Sequence, residues 1–153
     1  MKRILFFTVL AGLFAACSKD KFKTVPQVSV TSFGPSEVVK GQIITWKADV
    51  TDKEGDVQDS VIFYRKVFNA TTDVLLSTDS SVRGTLATFG IPSKTQEFEL
   101  QLQLSYGEQV DGYQLQNNGS GVDRKLSIGV YVKDKAGNRS EFAESDKILL
   151  KKI

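Results

Sequence analysis

Asp52, Glu54 and Asp56 crowd into one short turn, and Asp134 and Asn138 frame another. These side chains offer a cation oxygen ligands, and Ca²⁺ takes roughly six to eight oxygens from carboxylates and amide carbonyls. The spacing is not that of an EF-hand. Asp, Asn and Gly also suit tight bends on their own account, so a cation site and plain turn chemistry both remain open. A second group surrounds Tyr113, with Gln114, Gln116, Asn117 and Asn118 close by in a long polar connection from Gly107 to Asp123. An aromatic face beside amide donors can hold a sugar by stacking and paired hydrogen bonds. The alternative is an extra hairpin, Gln109–Gln116, with a polar tip. The third reactive group is the thiol of Cys17, the chain's single cysteine.

Much chemistry is excluded or disfavoured. The chain of 153 residues has no histidine. Ser–His and Cys–His catalysis and His-ligated zinc are therefore absent. Gly119-Ser120-Gly121 lies in a polar loop rather than at a strand-to-helix turn, so it is not a nucleophile elbow. Glu97 and Glu99 have the spacing of a carboxylate pair, but they fall on the solvated face of a strand. With 20 basic and 18 acidic residues and no basic stripe, the composition argues against nucleic acid as a partner. One cysteine allows no internal disulfide, so the fold must stand on its core.

The elements that must position these groups read as strands. Period-2 alternation runs through most of the chain after Pro26. Val28, Val30 and Ser32 alternate with polar neighbours until Gly34-Pro35-Ser36. Ile44, Trp46, Ala48 and Val50 share one face, which places Trp46 in the core rather than on a stacking platform. Val57 to Phe68 carries apolar residues on both faces, with Tyr64 and Phe68 on the second. Val74–Val82 and Thr85–Ile91 flank Arg83-Gly84 as a candidate hairpin. In Glu97–Tyr106, Phe98, Leu100, Leu102, Leu104 and Tyr106 point one way, and a one-residue slip would put them all in water. Leu126, Ile128, Val130 and Val132 repeat the pattern. Phe142 and Ile148–Leu150 form a last strand. Strands at this spacing predict an all-β chain, an antiparallel Ig-like β-sandwich of seven or eight strands. In such sandwiches the B–C and F–G loops meet at one end, which would bring Asp52, Glu54, Asp56, Asp134 and Asn138 together.

The first residues give an address. Lys2 and Arg3 precede an apolar run, Ile4–Phe14, and then Ala15-Ala16-Cys17. The run is shorter than the ~20 residues a spanning helix needs and has the layout of an export signal. Leu13-Phe14-Ala15-Ala16-Cys17 resembles the lipobox of bacterial lipoproteins. The resemblance implies cleavage before Cys17, a diacylglyceryl group on its sulfur and an acyl chain of palmitate type on its new amine. Two or more chains give lasting membrane attachment where one does not. Ser18 after the Cys is similar to lipoproteins sent to the outer membrane, while the mixed charges of Lys19-Asp20-Lys21 leave periplasmic and surface leaflets open. Tyr131 through Ser140 and Ile44 through Asp56 resemble strand-and-turn segments of bacterial Ig-like and fibronectin-III-like envelope domains, whose members mostly bind or space. Asp59-Ser60-Val61 resembles an envelope O-glycosylation signal with Ser60 as acceptor. The expected organisation is a signal peptide (1–16), a lipidated Cys and tether (17–26) and one sandwich domain (27–153). The expected role is a non-catalytic cell-envelope module, anchored by lipid. It is either a binding module accessory to glycan binding or uptake, or a structural, adhesive module for another envelope protein, with Ca²⁺ as the candidate ion.

Overall fold

The computed structural model describes residues 23–57, 60–83, 90–117 and 121–153. The protein is all-β, and no helix occurs among the described residues. The described residues form ten strands, in order: β1 Gln27–Gly34, β2 Glu37–Val38, β3 Ile43–Thr51, β4 Ser60–Asn69, β5 Leu75–Arg83, β6 Glu97–Tyr106, β7 Gln114–Gln116, β8 Arg124–Lys133, β9 Ala143–Glu144 and β10 Ile148–Leu150. The count exceeds seven or eight because β2, β7, β9 and β10 are pieces of two or three residues, too short to show a sequence period.

One sheet has the order β1-β3-β6-β7; the other runs β2-β10-β8-β4-β5, with β9 also on β8. The main pairings are antiparallel, but β7 runs parallel to β6 and β2 parallel to β10. This grouping, with the first long strand beside the second in one sheet and the last beside β8, itself beside β4, in the other, is that of Ig-like sandwiches. The register of β3 on β6 is unbroken from Ile43↔Ser105 to Thr51↔Glu97. It places Ile44, Trp46, Ala48 and Val50 opposite Leu104, Leu102, Leu100 and Phe98.

The two inner faces share one core. Trp46 is fully buried, stands edge-on to Phe63 at 5.4 Å and donates its indole N–H to the Ile128 carbonyl at 3.2 Å. That bond satisfies the one polar atom a buried Trp carries. Phe63, Ile128, Val130 and Val132 close the core from the second sheet.

Three expectations need correction. The last strand is broken: β9 and β10 both lie along the edge of β8 away from β4, with Ser145 bridging the break through its backbone and hydroxyl to Ile128. Phe142 leaves that strand's core face and lies over Gly129, where even a Cβ would come within 2.1 Å of its ring. It thereby covers the second face of β4 through ring contacts with Tyr64 and Tyr131. The Gln109–Gln116 hairpin is not formed: β7 pairs parallel with Leu104–Tyr106, and the Gln109 amide closes the preceding turn onto the Val110 and Tyr113 carbonyls. Of the proposed Thr85–Ile91 strand and its Arg83-Gly84 turn, residues 84–89 lie outside the described residues; Gly90 is in a turn, and Ile91 packs against the core without belonging to a strand.

Candidate metal centre

The inward row of β3 does not stop at Val50. One step further in the same period stands Asp52, with 0% of its surface exposed. The inward row of β8 ends likewise, one step past Val132, at Asp134, 2% exposed. Two neighbouring core rows in facing sheets thus both terminate in a buried carboxylate. Asp56 is the third member: one carboxylate oxygen from each of Asp52, Asp56 and Asp134 lies within 4.8 Å of the others.

Each loop is held from within. The Asp56 N–H donates to Asp52 Oδ2 at 3.0 Å. Gly55, at φ +66°, makes the bend, and a Cβ there would meet the Lys94 backbone at 2.6 Å, so the position requires glycine on both counts. On the other side Asp134 accepts from the Asn138 N–H and from Asn138 Nδ2, each at 2.7 Å. The loops are joined by the Lys135 N–H donating to the Asp56 carbonyl at 3.1 Å.

The electrostatics are unbalanced. Asp52 Oδ1 is buried with no hydrogen-bond partner. Burial pushes the Asp52 carboxyl above its ordinary range, and the charges of Asp56 and Glu54 push it further; bonds from the Asp56 and Gly55 backbone oppose this without cancelling it. Among the described residues none of the ion pairs involves Asp52, Asp56 or Asp134. Buried charges are ordinarily paired or bound to metal. An oxygen-only set suits a hard cation, and two oxygens on opposite sides of a Ca²⁺ stand about 4.6–5.2 Å apart. The three carboxylates lie within that span of one another, and Asp52 also carries a buried oxygen that lacks any partner.

Of the five residues singled out in the sequence, the structure therefore converges three. Glu54 is exposed and stands outside the trio. Asn138 turns its amide N–H toward Asp134, so it orients a carboxylate. Sequence reasoning placed the loops correctly but missed the depth of Asp52 and Asp134. The available signal was the period-2 row itself, extended by one residue.

The other candidates are spread out. Tyr113 is half-buried, and Gln114 and Asn117 are exposed. Gln116 is buried, and its side-chain oxygen accepts from Arg65 at 3.3 Å. Asn118 and Cys17 lie outside the described residues. Ser60 opens β4 opposite Lys133 and is half-buried; Asp59 is outside the described residues. A separate open groove of about 840 Å³ on the second sheet is lined by Lys66, Phe68, Asp73, Lys125, Glu144 and Lys147, among others. There Asp73 pairs with Lys125 at 3.0 Å and Lys147 at 2.8 Å, and Glu144 with Lys66 at 2.6 Å.

No protein-family model and no curated protein matches the chain. Among solved structures it is similar to an alkylpurine DNA glycosylase from Pseudomonas fluorescens bound to DNA, at 8% identity and TM-score 0.47 over 84% of this chain and 31% of that one. It is similar to the sporulation control protein of Bacillus subtilis at 8% identity and TM-score 0.45, over 84% of this chain and 50% of that one. A CARDB domain from Pyrococcus furiosus in complex with di-metal ions aligns at 12% identity and TM-score 0.32, over 86% and 91% of the two chains. The chain thus spans half or less of the first two proteins.

Proposed function

We propose that this chain is a lipid-anchored, non-catalytic Ig-like module of a bacterial cell envelope, which binds a ligand or partner and carries a structural Ca²⁺ at one end of its sandwich. The observation that supports the Ca²⁺ is the unpartnered, buried Oδ1 of Asp52 beside two further carboxylates. The anchor rests on the leader and Cys17, and it puts the module at the outer membrane, facing the periplasm or the surface. The binding role rests on a sandwich that offers loops and edges without a catalytic constellation in its sequence. Tyr113, beside the exposed Gln114 and Asn117, is the glycan-facing surface. Radiolabelled palmitate should enter the wild-type protein and not Cys17→Ala, and label in both or neither removes the anchor. Retention on polysaccharide affinity gels should fall for Tyr113→Ala, and equal retention removes the glycan role.

A second reading, a structural and adhesive module for another envelope protein, draws on β5. This strand, an edge among the described residues, and the residue before it expose Val74, Leu75 and Leu76 at 58%, 50% and 49%. An edge that begins with exposed apolar side chains offers a template for another strand. Cross-linking in intact cells that captures an envelope protein through β5, with no glycan retention, favours this reading over the first.

A further inference from the structure

We infer that the ion held by Asp52, Asp56 and Asp134 is a clasp: its occupancy fastens the segment that enters the sandwich, residues 23–26, onto the domain. This rests on the Ca²⁺ reading above and concerns what the ion controls.

The metal loop and the entering segment share one end of the molecule. β1 begins at Gln27, which pairs with Thr51, the residue before Asp52. The Lys53 N–H, inside the metal loop, donates to the Lys23 carbonyl at 3.0 Å. The opposite side of the loop is tied to the 94–96 turn. The Asp52 N–H donates to the Gln96 carbonyl at 2.9 Å, the Gln96 amide donates to the Lys53 carbonyl, and Gly55 packs on the Lys94 backbone. The 134–138 loop joins through Lys135 to Asp56. One five-residue bend therefore receives the entering segment, a turn from the first sheet and a loop from the second.

Without a cation, the Asp52, Asp56 and Asp134 carboxylates repel across the two loops, and Asp52 is buried with an orphan oxygen. Moving Asp52 toward water relieves both costs, and residue 53 moves with it. The Lys53 N–H then leaves the Lys23 carbonyl. A bound Ca²⁺ removes the repulsion and closes the bend. The coupling is reciprocal by linkage: whatever orders residues 23–26 also tightens the ion. With Cys17 acylated, the consequence is mechanical. Fastened at Lys23, the leash between anchor and body is residues 18–22, at most roughly 18 Å; Pro26 stays buried at the start of β1, so releasing the exposed residues 23–25 lengthens the leash by roughly 10 Å. The ion would set how far the sandwich stands from the membrane.

The test uses the full chain in detergent micelles, stripped with chelator and then given millimolar Ca²⁺, with Mg²⁺ as a second probe. Hydrogen exchange at the Lys53 and Lys135 amides and Lys-specific cleavage after Lys23 are followed together with melting temperature. The expected result is at least tenfold slower exchange at both amides and slower cleavage after Lys23 with Ca²⁺. In Asp52→Asn both should be independent of the ion. If Ca²⁺ raises the melting temperature and slows Lys135 exchange while Lys53 exchange and Lys23 cleavage stay unchanged, the clasp is wrong and the ion is purely a loop staple. If Ca²⁺ changes none of these, the metal reading fails and the clasp fails with it.

Discussion

Carboxylates meet opposite fates in two regions of this sandwich. In the groove on the second sheet, Asp73 accepts from Lys147 and Lys125, and those bonds hold its carboxyl below the ordinary range. Glu144 pays a desolvation penalty there, yet Lys66 and Ser127 still bring it down. At the loop end, Asp52 is pushed up, first by burial and then by its acidic neighbours. The groove carries its own cations on flexible lysine side chains, in reach of water. At the loop end, none of the ion pairs among the described residues reaches Asp52, Asp56 or Asp134, and Asp52 and Asp134 are buried at the ends of two core rows. The first arrangement is complete as it stands; the second leaves a buried carboxylate oxygen without a partner.

That contrast can be broken most forcefully by metal. At a hundredfold excess over its dissociation constant, Ca²⁺ stabilises a native-only site by about 2.7 kcal/mol. For a domain of this size that is a rise in melting temperature on the order of 10 °C, readable by calorimetry with and without chelator. High salt without Ca²⁺ should not reproduce it. Next, Gly55→Ala forces a side chain into φ +66° and into the Lys94 backbone. Denaturant unfolding should show a loss on the order of 1–3 kcal/mol, together with a weakened Ca²⁺ response. Asp52→Asn works in the opposite direction. Its amide oxygen can still accept from Asp56, and its NH₂ gives the neighbouring carboxylates a donor where an orphan oxygen stood. The metal-free variant should gain about 1–2 kcal/mol, within the range for satisfying a buried polar group, and lose its response to Ca²⁺.

The smallest effects lie in the groove. Lys147→Ala removes one of two bonds to Asp73 and a cation 4.0 Å over the Phe68 ring. Lys125 keeps Asp73 paired, so the melting temperature should fall by less than in Gly55→Ala, and more at low salt than at high. The pH dependence has a definite sign. Because the folded carboxyl of Asp73 sits low, its contribution is present above the unfolded carboxylate pKa of about 3.9 and is lost as pH falls through the lowered value. An NMR titration should place Asp73 below its ordinary range in the wild type and shift it upward in Lys147→Ala.

The sequence made the inward rows legible because each strand buries one face: Ile44 to Val50 and Leu126 to Val132 lie where alternation puts them. Tight turns after both rows were legible from Asp, Asn and Gly. The depth of the acids was not, because a carboxylate following an apolar row looks like the turn that ends it. The difference between Asp52 and Glu54 depends on Gly55 folding the bend back under Lys94, a contact with a distant turn. Phe142 was misread for a similar reason. Its place over Gly129 is set by a missing side chain on another strand, and no period along its own segment records it. The lysine groove joins residues from β4, β8 and β9 and from the turns after β4 and β9, which no local pattern connects.

The most direct measurement is isothermal titration of Ca²⁺ into the chelator-stripped protein, in parallel with Asp52→Asn. One ion per chain binding the wild type, with no binding to the variant, is the result expected if the orphan oxygen is a ligand. Absence of heat in the wild type up to millimolar Ca²⁺, or equal binding by the variant, would contradict it.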